Sequence, residues 1–214
     1  PGARMMLLRK SSFIAGDWVD AADGSVIAVS NPATGQVIGH VAALTAQQSS
    51  MAVDAAQGAF GSWSRTLPQH RSQLLRRWHD LIVQHGEELA QLMTLEQGKP
   101  ISEARGEIAY AASFVEFYAE EAKRPNIEGV TSHLDHAEVE VWREPLGVAA
   151  LVTPWNFPSA MITRKAAAAL AAGCTVVVHP SKETPYSALA LAQLASDAGL
   201  PPGGFNVGAG EPAG

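Results

Sequence analysis

The chain has 214 residues, 47% of them hydrophobic and 17% charged, a composition typical of a globular protein with one sizeable core or two small ones. Its formal net charge is −6 and no run of basic residues exceeds two. This argues against a nucleic-acid partner, because phosphate binding needs clustered Lys and Arg. The apolar runs are far shorter than the ~20 residues that span a bilayer, and one cysteine excludes an internal disulfide. We therefore expect a cytoplasmic protein with neither a membrane nor a nucleic-acid partner.

Residues 13–125 are predicted to form short strands followed by a mostly helical layer. Strands are expected at 13–15, 26–29 and 37–41, where apolar residues are separated by Gly, Asn, Asp and Pro. Thr45, with Gln48 three positions later, forms a capping box that predicts the first helix. Apolar stripes predict a second helix over about 69–85 and a third that stops at Gly98. A fourth is expected to be capped by Ser102 and to end near 124–125.

Residues 126–145 are predicted to form a separate segment, in which the pattern turns to alternation from Val130 to Trp142. Val139 and Val141 alternate with Glu138 and Glu140, which predicts a β-hairpin with one solvated face. We interpret this hairpin as an oligomerisation element and expect a homo-oligomer.

Residues 146–214 are typical of a parallel sheet. The five apolar residues 148–152, between Gly147 and Thr153-Pro154, predict a strand buried on both faces. A second buried strand is expected at 174–178 and a third at 205–207. Between them a helix should begin at Pro158 and end at Gly173, and another should run from 184–185 to about 199. This βαβαβ order predicts an α/β fold, the first half of a doubly wound, Rossmann-like sheet, with the third strand left as an open edge.

The segment after the first parallel strand is the strongest candidate for a site. Ligands bind at the carboxyl ends of such strands, and here Trp155 and Asn156 follow directly. From the residues alone, Asn156 could instead cap the next helix, and Arg164-Lys165 could be a solvated stripe on that helix. The glycines at 208–210 favour a plain loop over a dinucleotide fingerprint. The histidines lack the partners of a metal site, and Cys174 is expected to be buried and inert.

Several motifs together resemble the aldehyde dehydrogenase superfamily. They are Asn-Pro-Ala-Thr-Gly (31–35), Leu-Glu-Gln-Gly-Lys-Pro (95–100), Arg-Glu-Pro-Leu-Gly (143–147), Thr-Pro-Trp-Asn-Phe-Pro (153–158), Ala-Ala-Gly-Cys-Thr-Val-Val-Val (171–178) and Thr-Pro (184–185). The resemblance runs from about residue 13 to the last residue. Within the superfamily, residues 159–175 resemble the succinate-semialdehyde dehydrogenase branch, which oxidises a four-carbon aldehyde acid in 4-aminobutyrate breakdown.

The resemblance implies a mechanism and a set of site residues. A cysteine thiolate attacks the aldehyde, a nicotinamide cofactor accepts the hydride, and a glutamate-activated water releases the acid. Asn156 would be the oxyanion donor, Lys165 would lie near the cofactor or in a proton relay, and Arg164 would hold the substrate carboxylate. The implied cofactor-binding residues are Val152, Thr153, Pro154, Trp155, Asn156, His179, Pro180, Ser181 and Lys182.

Two departures from the superfamily pattern change what we expect of the affinity for the cofactor and of the preference between NADP and NAD. His179 stands where the resemblance places a lysine, so a fixed positive charge is lost. Lys182 stands where an acidic or small polar residue is expected, and a cation there attracts a 2′-phosphate, which favours NADP over NAD.

The superfamily's catalytic cysteine and glutamate are expected beyond residue 214, so the chain would be an amino-terminal half that lacks the catalytic domain and is inactive alone. The alternative is a non-catalytic remnant that acts as a binding or assembly protein.

Overall fold

The computed structural model describes residues 6–124 and 127–210. The predicted boundary between the helical layer and the hairpin, at 125–126, and the end of the segment 146–214, at 211–214, lie outside these residues. The strands are β1 (Ser12–Ile14), β2 (Asp17–Val19), β3 (Val26–Ser30), β4 (Val37–Ala42), β5 (Ile127–Val130), β6 (Val139–Trp142), β7 (Val148–Val152), β8 (Thr175–His179) and β9 (Phe205–Val207). The helices are α1 (Ala46–Trp63), α2 (Pro68–Gln84), α3 (Gly86–Gln97), α4 (Ile101–Glu121), α5 (Ala160–Ala172) and α6 (Pro185–Asp197).

The main sheet has five strands in the order β2-β1-β9-β8-β7. β7, β8 and β9 are parallel and are connected by α5 and α6, which confirms the predicted βαβαβ unit. The edge of β9 is not open as predicted, because β1 pairs with it antiparallel through Phe13 and Val207. The edge strand on the other side is β7, so Leu151 is buried while Val152 is 68% exposed. The prediction that β7 is buried on both faces is therefore wrong for this chain.

Helices cover both faces of the sheet around β8, the middle one of the three parallel strands. The hydroxyl of Thr175 donates a 2.9 Å hydrogen bond to the carbonyl of Ala56 on α1. Val176 and Val178 alternate with Thr175 along the strand, and both are fully buried on the other face. α5 and α6 pack on the parallel strands, and α2, α3 and α4 pack on those two helices. One hydrophobic core draws on residues from both sides of the predicted boundary at 146.

The amino terminus of α6 is capped by a buried carboxylate from another helix. Glu96, near the end of α3, accepts hydrogen bonds of 2.8 Å from the main-chain N–H groups of Tyr186 and Ser187. Thr184, at the N-cap position, makes no capping bond of its own. Burial raises the pKa of Glu96 to about 7, although the two N–H donors favour its charged form.

Two arginines of α2 bind the carboxyl ends of the same pair of helices. The Arg71 Nε donates 3.0 Å to the carbonyl of Ala171 at the end of α5, and the Arg77 Nε donates 2.9 Å to the carbonyl of Ala198 after α6. Cations at helix carboxyl ends satisfy unpaired carbonyls and interact favourably with the helix dipole. The helical layer therefore fixes α5 and α6 by their polar ends as well as by apolar packing.

Two of the predicted helix starts are wrong. α4 begins at Ile101 directly after Pro100, so Ser102 lies inside the first turn and caps nothing. α5 begins at Ala160 and not at Pro158, and Glu107 of α4 accepts the N–H groups of Ser159 and Ala160 at its start. The capping box of Thr45 and the left-handed glycine ends at Gly98 and Gly173 are confirmed. These signals are local in sequence, whereas the cap from Glu107 is not.

The predicted hairpin is present as β5 paired antiparallel with β6, and all eight of its strand residues are exposed. The expectation of one solvated face is therefore wrong for the described residues, none of which covers either face of the hairpin. Val141 and Trp142 are 45% and 60% exposed. Among the described residues, no helix is long and apolar enough to cross a membrane.

Candidate cofactor and active site

A groove of about 390 Å³ opens at the carboxyl ends of the parallel strands β7 and β8. Its lining consists of Val152, Thr153, Pro154, Trp155, His179, Pro180, Ser181, Lys182, Glu183 and Gly210. Eight of the nine residues that the resemblance implied for cofactor binding therefore meet at one place. The ninth, Asn156, follows Trp155 without lining the groove. Glu183, next to the predicted Lys182, was not predicted. Gly210 belongs to the glycines at 208–210 that the sequence analysis assigned to a plain loop.

The two strand ends are bonded to each other and to the loop after β9. The Thr153 N–H donates 3.2 Å to the carbonyl of His179, which continues the strand pairing into the groove. A ring nitrogen of His179, Nδ1, lies 3.2 Å from the carbonyl of Gly208, so the imidazole is oriented by the loop after β9. Trp155 is 55% exposed, which leaves an indole face accessible at the groove wall. Apolar walls with a few fixed polar groups are the usual features of a cofactor site.

Lys165 reaches back from α5 to the strand end. Its ammonium donates a 3.0 Å hydrogen bond to the carbonyl of Val152, the last residue of β7. Both the strand residue and the lysine are exposed. The ammonium therefore lies next to Val152, a residue of the groove lining.

Asn156 lies in the turn between β7 and α5, and its side chain is exposed. Within residues 6–124 and 127–210 its amide makes no hydrogen bond to another side chain or to the backbone. The alternative that this amide caps α5 is therefore wrong, since Glu107 binds the N–H groups of Ser159 and Ala160 at 3.0 and 3.2 Å. An unengaged amide on a rigid turn is available to donate to a ligand.

The turn that carries Asn156 is held by Lys99, which was not predicted as a site residue. Lys99 forms an ion pair with Glu107, donates 3.0 Å to the main-chain carbonyl of Asn156, and lies 4.1 Å from the ring centre of Phe157. Lys99 belongs to the Gly-Lys-Pro motif. The motif was recognised in the sequence, but the contact of Lys99 with Asn156 was not predicted. A link between positions 57 residues apart has no local signal.

Arg164 lies beside the groove and does not line it. Its guanidinium is exposed, 5.8 Å from the ring centre of Phe114 and 3.8 Å from the sulfur of Met161. Among the residues described, no carboxylate lies within ion-pair distance of Arg164. The Arg164 guanidinium is thus a cation on the exposed face of α5, next to Lys165 in sequence, and no described acidic residue pairs with it.

Other candidates give no site. Cys174 is buried, as predicted, and precedes the central strand. The described chain contains no group of three His, Cys, Asp or Glu side chains able to hold a metal.

A larger cavity of about 540 Å³ lies at the far end of α5, near Arg71, Arg143 and Ala172. It contains none of the expected site residues and lies away from the carboxyl ends of the parallel strands, where α/β proteins bind ligands.

The fold and the groove define an α/β protein with a ligand site at the carboxyl ends of parallel strands. Residues 18–214 match the aldehyde dehydrogenase family. The chain belongs to this family, as the motifs suggested.

The chain is similar to curated enzymes that are longer. It is 52% identical over 201 residues to a glutarate-semialdehyde dehydrogenase of Pseudomonas aeruginosa and covers 42% of that protein. It is 50% identical over 201 residues to the NADP-dependent succinate-semialdehyde dehydrogenase of Escherichia coli, again covering 42%. Each match uses 94% of this chain. The chain therefore spans less than half the length of these relatives.

The same relationship holds for a solved structure. A crystal structure of an NADP-dependent enzyme of E. coli superposes with a TM-score of 0.94 at 50% sequence identity. The alignment covers 96% of this chain and 43% of that one. The aldehyde dehydrogenase fold is therefore established for this chain.

Proposed function

We propose that this chain supplies the cofactor groove and the oxyanion donor of an NAD(P)-dependent dehydrogenase that oxidises an aldehyde carrying a distal carboxylate, with succinate semialdehyde as the preferred substrate. The observation that carries the proposal is the groove itself. Eight residues from two separate segments, chosen from sequence, line one cavity at the ends of β7 and β8.

The lining fits a nicotinamide dinucleotide. Trp155 and Val152 offer apolar surface, Ser181 and the loop around Gly210 offer polar groups, and Lys182 offers a cation. Such a mixture matches a ligand with flat rings, ribose hydroxyls and phosphates. When bound, the cofactor would accept a hydride from the substrate. Because Lys182 favours a 2′-phosphate, we propose NADP as the better ligand, which agrees with the NADP dependence of the E. coli relative.

The substrate class follows from Arg164. A guanidinium that lacks an acidic partner in the described chain can bind a carboxylate with two parallel hydrogen bonds. The relatives named above act on succinate and glutarate semialdehydes, which both carry a carboxylate distant from the aldehyde. The two substrates differ by one methylene, and discrimination between them would depend on pocket residues outside this chain.

The chain's own residues support the reaction by binding and orientation. The Asn156 amide would donate to the aldehyde oxygen as negative charge develops there. The Lys165 ammonium would stay at the groove rim, held by the Val152 carbonyl. Cys174 would not take part, because a cysteine that is only 7% exposed cannot reach a substrate. We propose that the nucleophile and the general base come from the rest of the protein and that this chain alone does not turn over.

The exposed hairpin would join copies of the protein. Ile127, Val130, Val139, Val141 and Trp142 are each at least 39% exposed, on strands with neither face covered. Exposed apolar strands of this kind are typical of contact surfaces. We therefore propose a homo-oligomer.

The test is steady-state oxidation by the complete protein of succinate semialdehyde and of butanal, its neutral counterpart of equal chain length, with NADP and NAD. We expect kcat/KM for the semialdehyde acid to exceed that for butanal by at least about tenfold, since charged hydrogen bonds contribute about 1.5–3 kcal/mol. Equal values would contradict the carboxylate assignment. Absence of any cofactor reduction would contradict the dehydrogenase assignment and leave the non-catalytic alternative.

A further inference from the structure

A buried ion pair supports the turn that carries Asn156. The side chains of Lys99 and Glu107 are 9% and 1% exposed, and they contact each other directly. Glu107 also accepts the first N–H groups of α5, from Ser159 and Ala160. Lys99 donates 3.0 Å to the carbonyl of Asn156. The segment 156–160 is therefore fixed at both ends by two side chains of the helical layer.

The capping of α5 does not explain the lysine. At the neighbouring helix α6, Glu96 accepts two N–H groups of the first turn in the same way, and among the described residues no cation pairs with it. A buried carboxylate alone is therefore sufficient to cap a helix in this fold. Stability gives no further reason, since replacing a buried ion pair by apolar residues is often neutral or stabilising. The contact that distinguishes Lys99 is the one to Asn156.

We infer that Lys99 and Glu107 are positioning residues that fix the main chain of Asn156 so that its amide is presented to the substrate oxygen. The inference rests on the proposed function, in which Asn156 is the oxyanion donor. Lys99 fixes the carbonyl of Asn156, and its ammonium near the ring of Phe157 restricts the next residue. Donors of this kind act only when they are held at the place where charge develops. Neither Lys99 nor Glu107 needs to touch the substrate.

The test uses Lys99→Met/Glu107→Gln in the complete enzyme. The double change removes both charges together, so no unpaired buried charge remains, and the glutamine carbonyl can still accept from the start of α5. We expect kcat to fall about tenfold, because small misplacements of catalytic groups cost up to about 10² in rate. The KM for aldehyde and the Kd for cofactor should change less than about twofold, since the groove lining is untouched.

The matched control is Glu96→Gln, which alters the same kind of helix cap without any contact to Asn156. It should change the thermal midpoint and leave kcat within about twofold of the parent. A tenfold loss of kcat in this control as well would show that any damage to a helix cap slows the enzyme, and would overturn the inference.

The decisive readout is the same pair of changes in an Asn156→Ala background. If the ion pair acts through Asn156, the tenfold loss of kcat should disappear there, while the change in thermal midpoint should persist. An equal loss in both backgrounds would overturn the inference and leave the proposed function intact. A parent enzyme that reduces no cofactor would instead contradict the proposed function.

A second variant keeps the test valid if the methionine double variant does not fold. Lys99→Gln/Glu107→Gln is also neutral and retains an amide that can donate near the Asn156 carbonyl. Its kcat should lie between those of the parent and the methionine variant, and its loss should also vanish in the Asn156→Ala background. This variant lacks the Lys99 ammonium. If its kcat were equal to that of the parent, the inference would be overturned.

Discussion

The ammonium group of Lys165 donates a 3.0 Å hydrogen bond to the carbonyl of Val152, which joins α5 to the last residue of β7. Val152 lines the groove, so the bond links the helix that carries Arg164 to the strand that forms the groove wall. The positions of the groove, the turn at Asn156 and the cations of α5 are therefore mutually dependent. The predictions below separate their contributions.

Asn156→Ala should lower kcat of the complete enzyme by about 10²–10³, because removal of one oxyanion donor typically has this effect. The Kd for NADP should change less than about twofold, since Asn156 does not line the groove. Pre-steady-state kinetics and calorimetry measure the two quantities. A matched loss of cofactor affinity would mean that Asn156 acts through the groove and not on the substrate oxygen.

Lys182→Glu should shift cofactor preference from NADP toward NAD by at least about tenfold, because a carboxylate repels a 2′-phosphate that the lysine attracts. Glu183→Gln, at the adjacent groove position, should shift the preference in the opposite direction by a smaller factor. The ratio of Kd values for the two cofactors is the measurement. An unchanged ratio in the Lys182 variant would remove that residue from phosphate recognition.

Arg164→Met should raise the KM for succinate semialdehyde by about tenfold or more and leave the KM for butanal unchanged, since a charged bidentate pair is lost only with the acid. Arg164→Lys should recover part of the loss, because an ammonium keeps the charge without the fork geometry. Arg105→Met is the control, since Arg105 is an exposed arginine that pairs with Glu87. Equal effects on the two aldehydes would exclude carboxylate binding by Arg164.

Glu96 should make the chain less stable as pH rises. Burial raises its pKa from 4.5 to about 7, so between these values the folded chain binds a proton that the unfolded chain has released. The contribution is fully present below pH ~4.5 and is lost as pH rises through ~7, at about 1.4 kcal/mol per unit and about 3 kcal/mol in all.

Glu96→Gln removes this titration, so the free energy of unfolding of the variant minus that of the parent should rise by about 3 kcal/mol from pH 4.5 to 8. Urea unfolding at several pH values measures the difference. Glu103→Gln, at an exposed position of α4, should give a difference that does not depend on pH. A constant difference for Glu96→Gln would mean that the pKa of this carboxyl does not change on folding.

The elements with local signals were predictable from the sequence. The Thr45 capping box, the glycine helix ends at Gly98 and Gly173 and the apolar strand β8 follow from neighbouring residues. The burial of β7 was predicted wrongly because an apolar run indicates a strand but not its place in a sheet. The pairing of β1 with β9 joins residues 194 positions apart, at Phe13 and Val207, and no pattern in a single sequence indicates it.

The site was predictable where its residues lie in motifs and not where it depends on packing. The segments 152–155 and 179–182 were expected to meet because both follow parallel strands, and they line one groove. Their role in cofactor binding stays a prediction. The supports from Lys99 and Glu107 were missed, since an apolar stripe on α4 shows which face is buried and gives no reason to expect a buried glutamate on it. Only the packing of α4 on α5 brings that carboxylate to the turn.

The most direct test of the account is a calorimetric titration of this 214-residue chain with NADP and with NAD, followed in parallel by Trp fluorescence. We expect saturable binding at one site, tighter for NADP than for NAD. Lys182→Glu should reverse that order, and Trp155→Phe should abolish the fluorescence response, because Trp155 lines the groove. Absence of saturable binding, or binding that neither substitution alters, would contradict the assignment of the groove as the cofactor site.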